Sequence, residues 1–393
     1  MTPISGVPVR SDWGCPRTIP ELLGEQPDGR PLAELWFGAH SKGSSRLPDG
    51  RTLLSAVAEA PAEMLGNDVR LTFGDELPFL VKLLAPVKAL SLQVHPTKES
   101  AARGYDAEVA RGLAADDPAR NYPDRNHKPE MVFALTTFEA LSGFRAPRRA
   151  IEMVEGLSAP LAVRMRESLS RRDGTAMQTT FAQLLGAARP RPDDVVELVE
   201  EIGARLQRGD SPSPRIDRTV VQLGQWHPGD PGTAAVLLLN PVTLQPGEAM
   251  FVGAGNVHCY LAGLGLEVLA NSDNVVRAGL TSKHVDAETL LEIVDTTAAP
   301  PVRLGPERVG PAVDVYYAPV DDFELTVATT LPSGPVRLPG GGPRILVGLD
   351  GEVRAHADGE PVLLRPGRSA FVMPGEPAVR IDGHGRVAQV AVP

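Results

Sequence analysis

The 393-residue chain has only two cysteines, Cys15 and Cys259. That rules out a disulfide framework and any cysteine-based zinc site. Cys259 reads as a packed strand residue rather than a reactive thiol. Aromatic residues are scarce, at 10 Phe, 5 Tyr and 3 Trp. No apolar run approaches the ~18 residues of a membrane-spanning helix. Met1-Thr2-Pro3-Ile4-Ser5-Gly6 lacks the apolar stretch of a signal peptide, so the expected location is cytoplasmic and reducing. Positive charge is in deficit, 39 Lys and Arg against 49 Asp and Glu, for a formal net charge of −10. This argues against nucleic-acid or membrane partners, while a local basic cluster still admits an anionic small substrate. Turn formers are not lacking. The 39 Gly and 38 Pro favour many short strands over a helical bundle. Oligomeric state is left open, with a monomer favoured.

Residues 1–145 read as mixed, with strand-like runs at 77–94 and 131–135 and a helix and loop over 97–113. From about 146 the period changes. Met177, Phe181, Leu184 and Leu185 recur at helical spacing, as do Val195, Leu198, Val199, Ile202 and Leu206, with Asp193 and Asp194 suited to a helix N-terminus. The spacing predicts an insert of three or four helices within 146–225, closing on the loop signal Gly209-Asp210-Ser211-Pro212-Ser213-Pro214. Strand character returns at Ala234-Ala235-Val236-Leu237-Leu238-Leu239.

An internal repeat follows. Leu244-Gln245-Pro246-Gly247-Glu248-Ala249-Met250-Phe251-Val252-Gly253-Ala254-Gly255 is echoed 120 residues later by Leu364-Arg365-Pro366-Gly367-Arg368-Ser369-Ala370-Phe371-Val372-Met373-Pro374-Gly375. Leu, Pro, Gly, Phe, Val and Gly recur in register. A short strand, a Pro-Gly turn, Phe-Val and a second Gly turn before a histidine is the pattern of cupin jelly rolls. In the second copy Ala378 holds the place of His258. The expected fold is mainly β with a helical insert: two cupin-like jelly rolls plus an α-helical domain. Residues 1–145 and 226–295 would form a metal-binding barrel, 146–225 the helical domain, and 296–393 a second barrel without a metal site.

Four side chains look like parts of one metal site. Gln93 and His95, at i and i+2 in Leu90-Ser91-Leu92-Gln93-Val94-His95-Pro96, point from one face if the run is a strand. Glu130 closes Asn126-His127-Lys128-Pro129-Glu130, and His258 lies in Gly255-Asn256-Val257-His258-Cys259-Tyr260. Taken alone, His95 reads as a packed strand histidine, His258 as a core histidine and Glu130 as a turn residue. Gln93 is the least usual ligand of the set. Together, two imidazoles, a carboxylate and an amide oxygen suit a zinc ion with one position open. His127, His227 and His284 read as non-ligands.

These segments carry a resemblance to the type I mannose-6-phosphate isomerases. Ala33-Glu34-Leu35-Trp36-Phe37-Gly38-Ala39-His40 resembles the family's N-terminal signature, and the three segments above resemble its metal segments. Leu269-Ala270-Asn271-Ser272-Asp273-Asn274-Val275-Val276-Arg277-Ala278-Gly279-Leu280-Thr281-Ser282-Lys283-His284-Val285-Asp286 resembles its catalytic stretch. Ser41 stands where the family commonly has Pro. The resemblance spans about the first 295 residues and continues beyond them only as a barrel. It implies one zinc ion per chain on Gln93, His95, Glu130 and His258. It also implies interconversion of mannose 6-phosphate and fructose 6-phosphate through an enediol(ate). Arg277 is the implied stabiliser of developing negative charge, with an ion pair to Asp273 or Asp286 as its structural alternative. Ser91 and Lys283 are the implied phosphate-binding residues. The proton carrier is open among Lys128, Glu267, Asp273 and a metal-bound water. An Fe(II) cupin oxygenase and a sugar-phosphate sensor without turnover are the competing functions. Gly340-Gly341-Gly342 lacks the Lys-Ser/Thr of a phosphate-binding loop.

Overall fold

The computed structural model describes residues 1–393. Its strands form three antiparallel sheets. The eight-stranded sheet runs in the order Val302–Leu304, Ala249–Val252, Glu130–Ala134, Gly265–Ala270, Phe79–Leu84, Glu34–His40 and Val7–Val9, with Gly43–Ser44 on the flank of Glu34–His40. The five-stranded sheet is ordered Val276–Gly279, Leu92–Val94, His258–Ala262, Phe138–Phe144 and Leu239–Leu244. A nine-stranded sheet takes up the C-terminal residues, centred on Arg344–His356 and Arg380–Ala391.

Alternation of side chains decides how these layers stack. Val132, Ala134 and Leu84 face the five-stranded sheet, where they pack with Phe138, Ala140, Val242 and Tyr260. Their neighbours Met131, Phe133, Val81 and Leu83 face the opposite way and pack against Phe323, Leu325, Ile345 and Phe371 of the C-terminal sheet. Covered on both sides, Phe79–Leu84 is buried at every position.

The repeat appears in two of the sheets. Ala249–Val252 and Ser369–Val372 are strands at equivalent positions. The turns before them need glycine, with φ of 93° at Gly247 and 71° at Gly367. The first strand, Thr2–Ile4, pairs with Ser369–Val372, so the start of the chain is stitched into the C-terminal sheet rather than into the sheet of its sequence neighbours.

The helical segment holds more helices than the spacing predicts: Pro147–Val154, Pro160–Leu169, Ala176–Leu185, Pro192–Arg208, Pro214–Trp226 and Pro231–Ala235. All but one begin on proline, whose fixed φ and missing N–H suit the first helical position. Residues 234–238 do not form a strand. They continue as a helical turn and the 3-10 turn Val236–Leu238, and the strand starts at Leu239. These residues are buried on all sides, and a short apolar run of that kind carries no period that separates helix from strand. The helices cover the outer face of the five-stranded sheet, where Leu92, Val94, Leu141, Cys259 and Val276 join their core. No helix is long and apolar enough to cross a membrane.

Within the helical segment Arg205 and Asp217 form a buried two-pronged pair, Nε to Oδ2 at 2.9 Å and Nη2 to Oδ1 at 2.6 Å. Arg205 Nη1 also donates to Met153 O at 2.9 Å, which ties three helices together. Asp217→Ala would leave this guanidinium buried without its counter-charge. It should lower stability by about 3–5 kcal/mol in urea unfolding; a loss below about 1 kcal/mol would mean that the pair is dispensable.

Candidate metal centre and active site

Strand register gathers the site. Gln93 lies opposite both Arg277 and His258 on its two neighbouring strands. Directly opposed residues share a face, so Arg277, Gln93 and His258 form one row pointing at the eight-stranded sheet. The other face of the same strands carries Leu92 and Val94 into the helical core. His95 stands just past its strand, and Pro96 follows. Glu130 enters from the opposite sheet as the first residue of Glu130–Ala134.

His95 Nε2 lies 3.0 Å from Glu130 Oε1, and His258 Nε2 lies 3.5 Å from Glu130 Oε2. One ligand atom from each of these three residues falls within 4.8 Å of the others. All three side chains are buried. Each imidazole is oriented from behind: His95 Nδ1 bonds Asn274 O at 2.8 Å, and His258 Nδ1 bonds Asn256 O at 3.0 Å. A backbone carbonyl can only accept, so Nδ1 carries the proton and the Nε2 lone pair turns inward. His95 Nε2 is buried with no hydrogen-bond partner. Burial pushes the His95 imidazolium down to about 4 against the pull of Glu130, so the ring is neutral near pH 7. Burial acts to raise the Glu130 carboxyl, but His95 and Lys128 outweigh it and hold it well below the usual range. A neutral His95 and an ionised Glu130 are the protonation states a metal needs of them. Tyr260 donates its hydroxyl to Glu130 Oε2 at 3.1 Å.

Gln93 reaches the cluster through its amide, with Nε2 3.1 Å from His258 Nε2 and Oε1 accepting from Ser91 Oγ at 3.2 Å. Turning the amide over puts the oxygen beside the imidazoles with no change of shape. Lys128 is buried beside Glu130, with Nζ 3.3 Å from Oε1. Arg277 is partly buried and forms neither of its possible ion pairs. Asp273 is taken by His40 and Lys42, at 3.4 and 2.9 Å, and Asp286 caps the helix Ala287–Ile293. Burial lowers the pKa of Arg277, with Asp273 pulling the other way. Lys283 is exposed on the loop beyond, and its pKa is lowered by partial desolvation and by the charge of Arg277. His127 pairs with Asp322 at 3.0 Å, and neither His227 nor His284 approaches the cluster.

A family model described as phosphomannose isomerase type I, catalytic domain, matches residues 7–147. The mannose-6-phosphate isomerase of Escherichia coli (strain K12) is 36% identical over 385 residues, covering 96% of each chain. That of Rattus norvegicus is 35% identical over 334 residues, covering 80% of this chain and 77% of its own.

The chain belongs to the type I mannose-6-phosphate isomerases.

Solved structures agree. A crystal structure of a phosphomannose isomerase mutant from Salmonella typhimurium superposes with a TM-score of 0.91 at 34% identity, covering 100% of this chain and 99% of its own. A mannose 6-phosphate isomerase bound with zinc and yttrium superposes with a TM-score of 0.89 at 33% identity over 100% of both chains.

The buried Lys82 and Glu34 and the half-buried Trp36, on the wall of this isomerase site, were not among the expected site residues. Lys82 Nζ lies 3.3 Å from Glu267 Oε2, 3.8 Å from Glu34 Oε1 and 4.7 Å from the centre of the Trp36 ring. Trp36 Nε1 donates to Glu34 Oε2 at 2.7 Å. Burial would lower the Lys82 ammonium, but Glu34, Glu267 and Glu130 outweigh it and hold it above the usual lysine range. Burial and the charge of Glu130 push the Glu267 carboxyl up to about 7 against Lys82. A signal for Lys82 was present: one lysine in the otherwise apolar Phe79-Leu80-Val81-Lys82-Leu83-Leu84.

The loop after Arg277 is held by a fourth unanticipated residue. Leu280 is the only non-glycine residue with positive φ, at 57°. That conformation costs about 1–2 kcal/mol. Its N–H donates to Asp230 Oδ2 at 2.8 Å, while Asp230 Oδ1 accepts from Gly232 N at 2.7 Å and caps the helix Pro231–Ala235. Asp230→Ala removes a charge-assisted bond and should speed amide exchange across 279–283 by about tenfold or more, with metal content unchanged. Unaltered exchange would show that the turn holds itself.

Proposed function

We propose that this isomerase interconverts mannose 6-phosphate and fructose 6-phosphate through an enediol(ate), with one zinc ion per chain on Gln93, His95, Glu130 and His258. The convergence of two inward lone pairs and a carboxylate beside the unpaired Arg277 carries the reading. The orphaned Nε2 of His95 fits a metal donor better than a packed core histidine. The substrate follows from family membership, with the unpaired Arg277 and the neighbouring Lys283 as cations for its anionic group. Bound on those four ligands, zinc would supply a Lewis acid for a sugar oxygen.

The chemistry moves a proton between C2 and C1 of the opened sugar, and negative charge grows on the neighbouring oxygen. Arg277 is assigned to stabilise that charge. It is partly desolvated and makes no ion pair, so it gains more from an anion than a solvated arginine would. Glu267, with its carboxyl pushed up to about 7, suits a group that accepts and returns a proton near neutral pH. Lys128, buried at the edge of Glu130, is the other carrier. Burial acts to raise Asp273, but His40 and Lys42 outweigh it and hold the carboxyl well below its usual range, which makes it the weakest base of the three. Asp273 is therefore assigned to positioning the loop. Ser91, hydrogen-bonded to Gln93, and Lys283 are assigned to the phosphate.

The two facing sheets around this site, with the C-terminal sheet behind them, are read as a cupin jelly roll (1–145 and 226–295) and a second jelly roll (296–393) without metal. The helical domain lies between at 146–225. The recurrence of strand and glycine turn in both copies supports this division. A cytoplasmic location remains the proposal.

A coupled assay decides the activity. Mannose 6-phosphate with glucose-6-phosphate isomerase and glucose-6-phosphate dehydrogenase should yield NADPH, lost on chelation and restored by zinc. Tight binding of mannose 6-phosphate without NADPH would instead mark a sensor. Arg277→Ala should cut turnover by about 10²–10³-fold at unchanged metal content, as for a lost oxyanion donor; turnover near wild type would make Arg277 structural. His258→Ala should lower bound zinc and activity together, and retained zinc would remove His258 from the ligand set.

A further inference from the structure

The C-terminal sheet buries a guanidinium that nothing neutralises. Arg344 opens the strand Arg344–His356 and is fully buried. It lies opposite Ala391 on one neighbouring strand and Val372 on the other. Two residues along, Leu346 lies opposite Gln389 and Ala370, and Gln389 lies opposite Thr326. All of these therefore share one face of the sheet. That face carries the apolar cluster of Leu346, Ala370, Val372 and Ala328, and the catalytic half packs against the other.

Of the Arg344 nitrogens only Nη1 is bonded, to Gly340 O at 3.1 Å. Nε and Nη2 are buried with no partner. The same is true of Gln389 Oε1 and Thr326 Oγ1, on side chains each only 1% exposed. Gln389 Nε2 bonds Pro339 O at 2.7 Å. No carboxylate pairs with Arg344. Glu376, the nearest in electrostatic effect, is engaged by the Met1 amine and by Met373 N. Glu324, opposite Ala391 on the next strand, makes no ion pair.

Nε and Nη2 form the edge of the guanidinium that grips a carboxylate with two parallel bonds. Arg205 uses that edge on Asp217. In Arg344 that edge is unpaired, on the sheet face that also carries the unpartnered Gln389 Oε1 and Thr326 Oγ1. A buried charge of this kind calls for an opposite one. The cover above it is thin. Residues 339–343 read Pro-Gly-Gly-Gly-Pro, and a Cβ added at Gly340 would sit 3.5 Å from Arg344 Cδ and 3.6 Å from Gln389 Nε2. At Gly341 and Gly342 a Cβ would meet nothing.

We propose that the C-terminal sheet binds a small oxyanion, a carboxylate or a phosphate, on the Nε/Nη2 edge of Arg344. The Thr326 hydroxyl and the second N–H of the Gln389 amide are its further donors, and it enters beneath the 339–343 loop. The site faces away from the metal centre and does not depend on the isomerase assignment.

The test is a soak of crystals of the zinc-loaded protein in selenate, located by the anomalous signal of selenium. A peak about 3–4 Å from Arg344 Nε and Nη2 is expected, and it should vanish in Arg344→Met. In solution, phosphate and acetate, each compared with chloride at matched ionic strength, identify the preferred class. The preferred anion should raise the melting temperature of the wild type saturably, with the part due to Arg344 lost in Arg344→Met and reduced in Gln389→Leu. Only water at the edge of the fork, or a Gln389 oxygen turned onto it with no selenium, overturns the proposal. So does an anion-dependent melting shift that is unchanged in both variants. If Arg344→Met fails to fold, the wild-type soak still decides.

Discussion

The centre of this molecule is held by an arrangement that is unfavourable unless a cation completes it. Two imidazole lone pairs and an ionised carboxylate are aimed at one another in a buried space between sheets. Each is locked from behind, the imidazoles by the carbonyls of Asn274 and Asn256 and the carboxylate by Tyr260 and Lys128. The rest of the fold keeps these restraints in place. The strands set the row Arg277–Gln93–His258, and the opposite sheet presents Glu130 to it. The helices and the C-terminal sheet seal the outer faces.

Much of the site was legible because its residues are rare types in otherwise apolar strands. Gln93 and His95 alternate with Leu92 and Val94, so period alone separates the face of the proposed ligands from the helix-packing face. What escaped was of two kinds. Lys82 and Glu34 sit in strands covered on both sides, where the alternation that marks a functional face is erased. Asp230 acts on Leu280 through a backbone N–H fifty positions away, and no local pattern reports such a bond.

The helical segment shows the same division. Helices with an exposed face, such as Pro192–Arg208, declare their period. Residues 234–239 are enclosed on all sides and read as a strand, although 234–238 form helical turns and only Leu239 begins the strand. Prolines open five of the six helices, a signal that the spacing alone did not use. Their meaning depended on whether each stood at the start of an element or in a loop, which single residues do not disclose.

The span between the proposed ligands has a consequence for biogenesis. Gln93 and His258 are 165 residues apart, and all six helices of the insert lie between them. During synthesis Gln93, His95 and Glu130 leave the ribosome long before their last partner. For that interval the nascent chain holds at most three of the four proposed donors, so on the proposed ligand set an ion would be held in full only after the insert has been made and the chain has turned back.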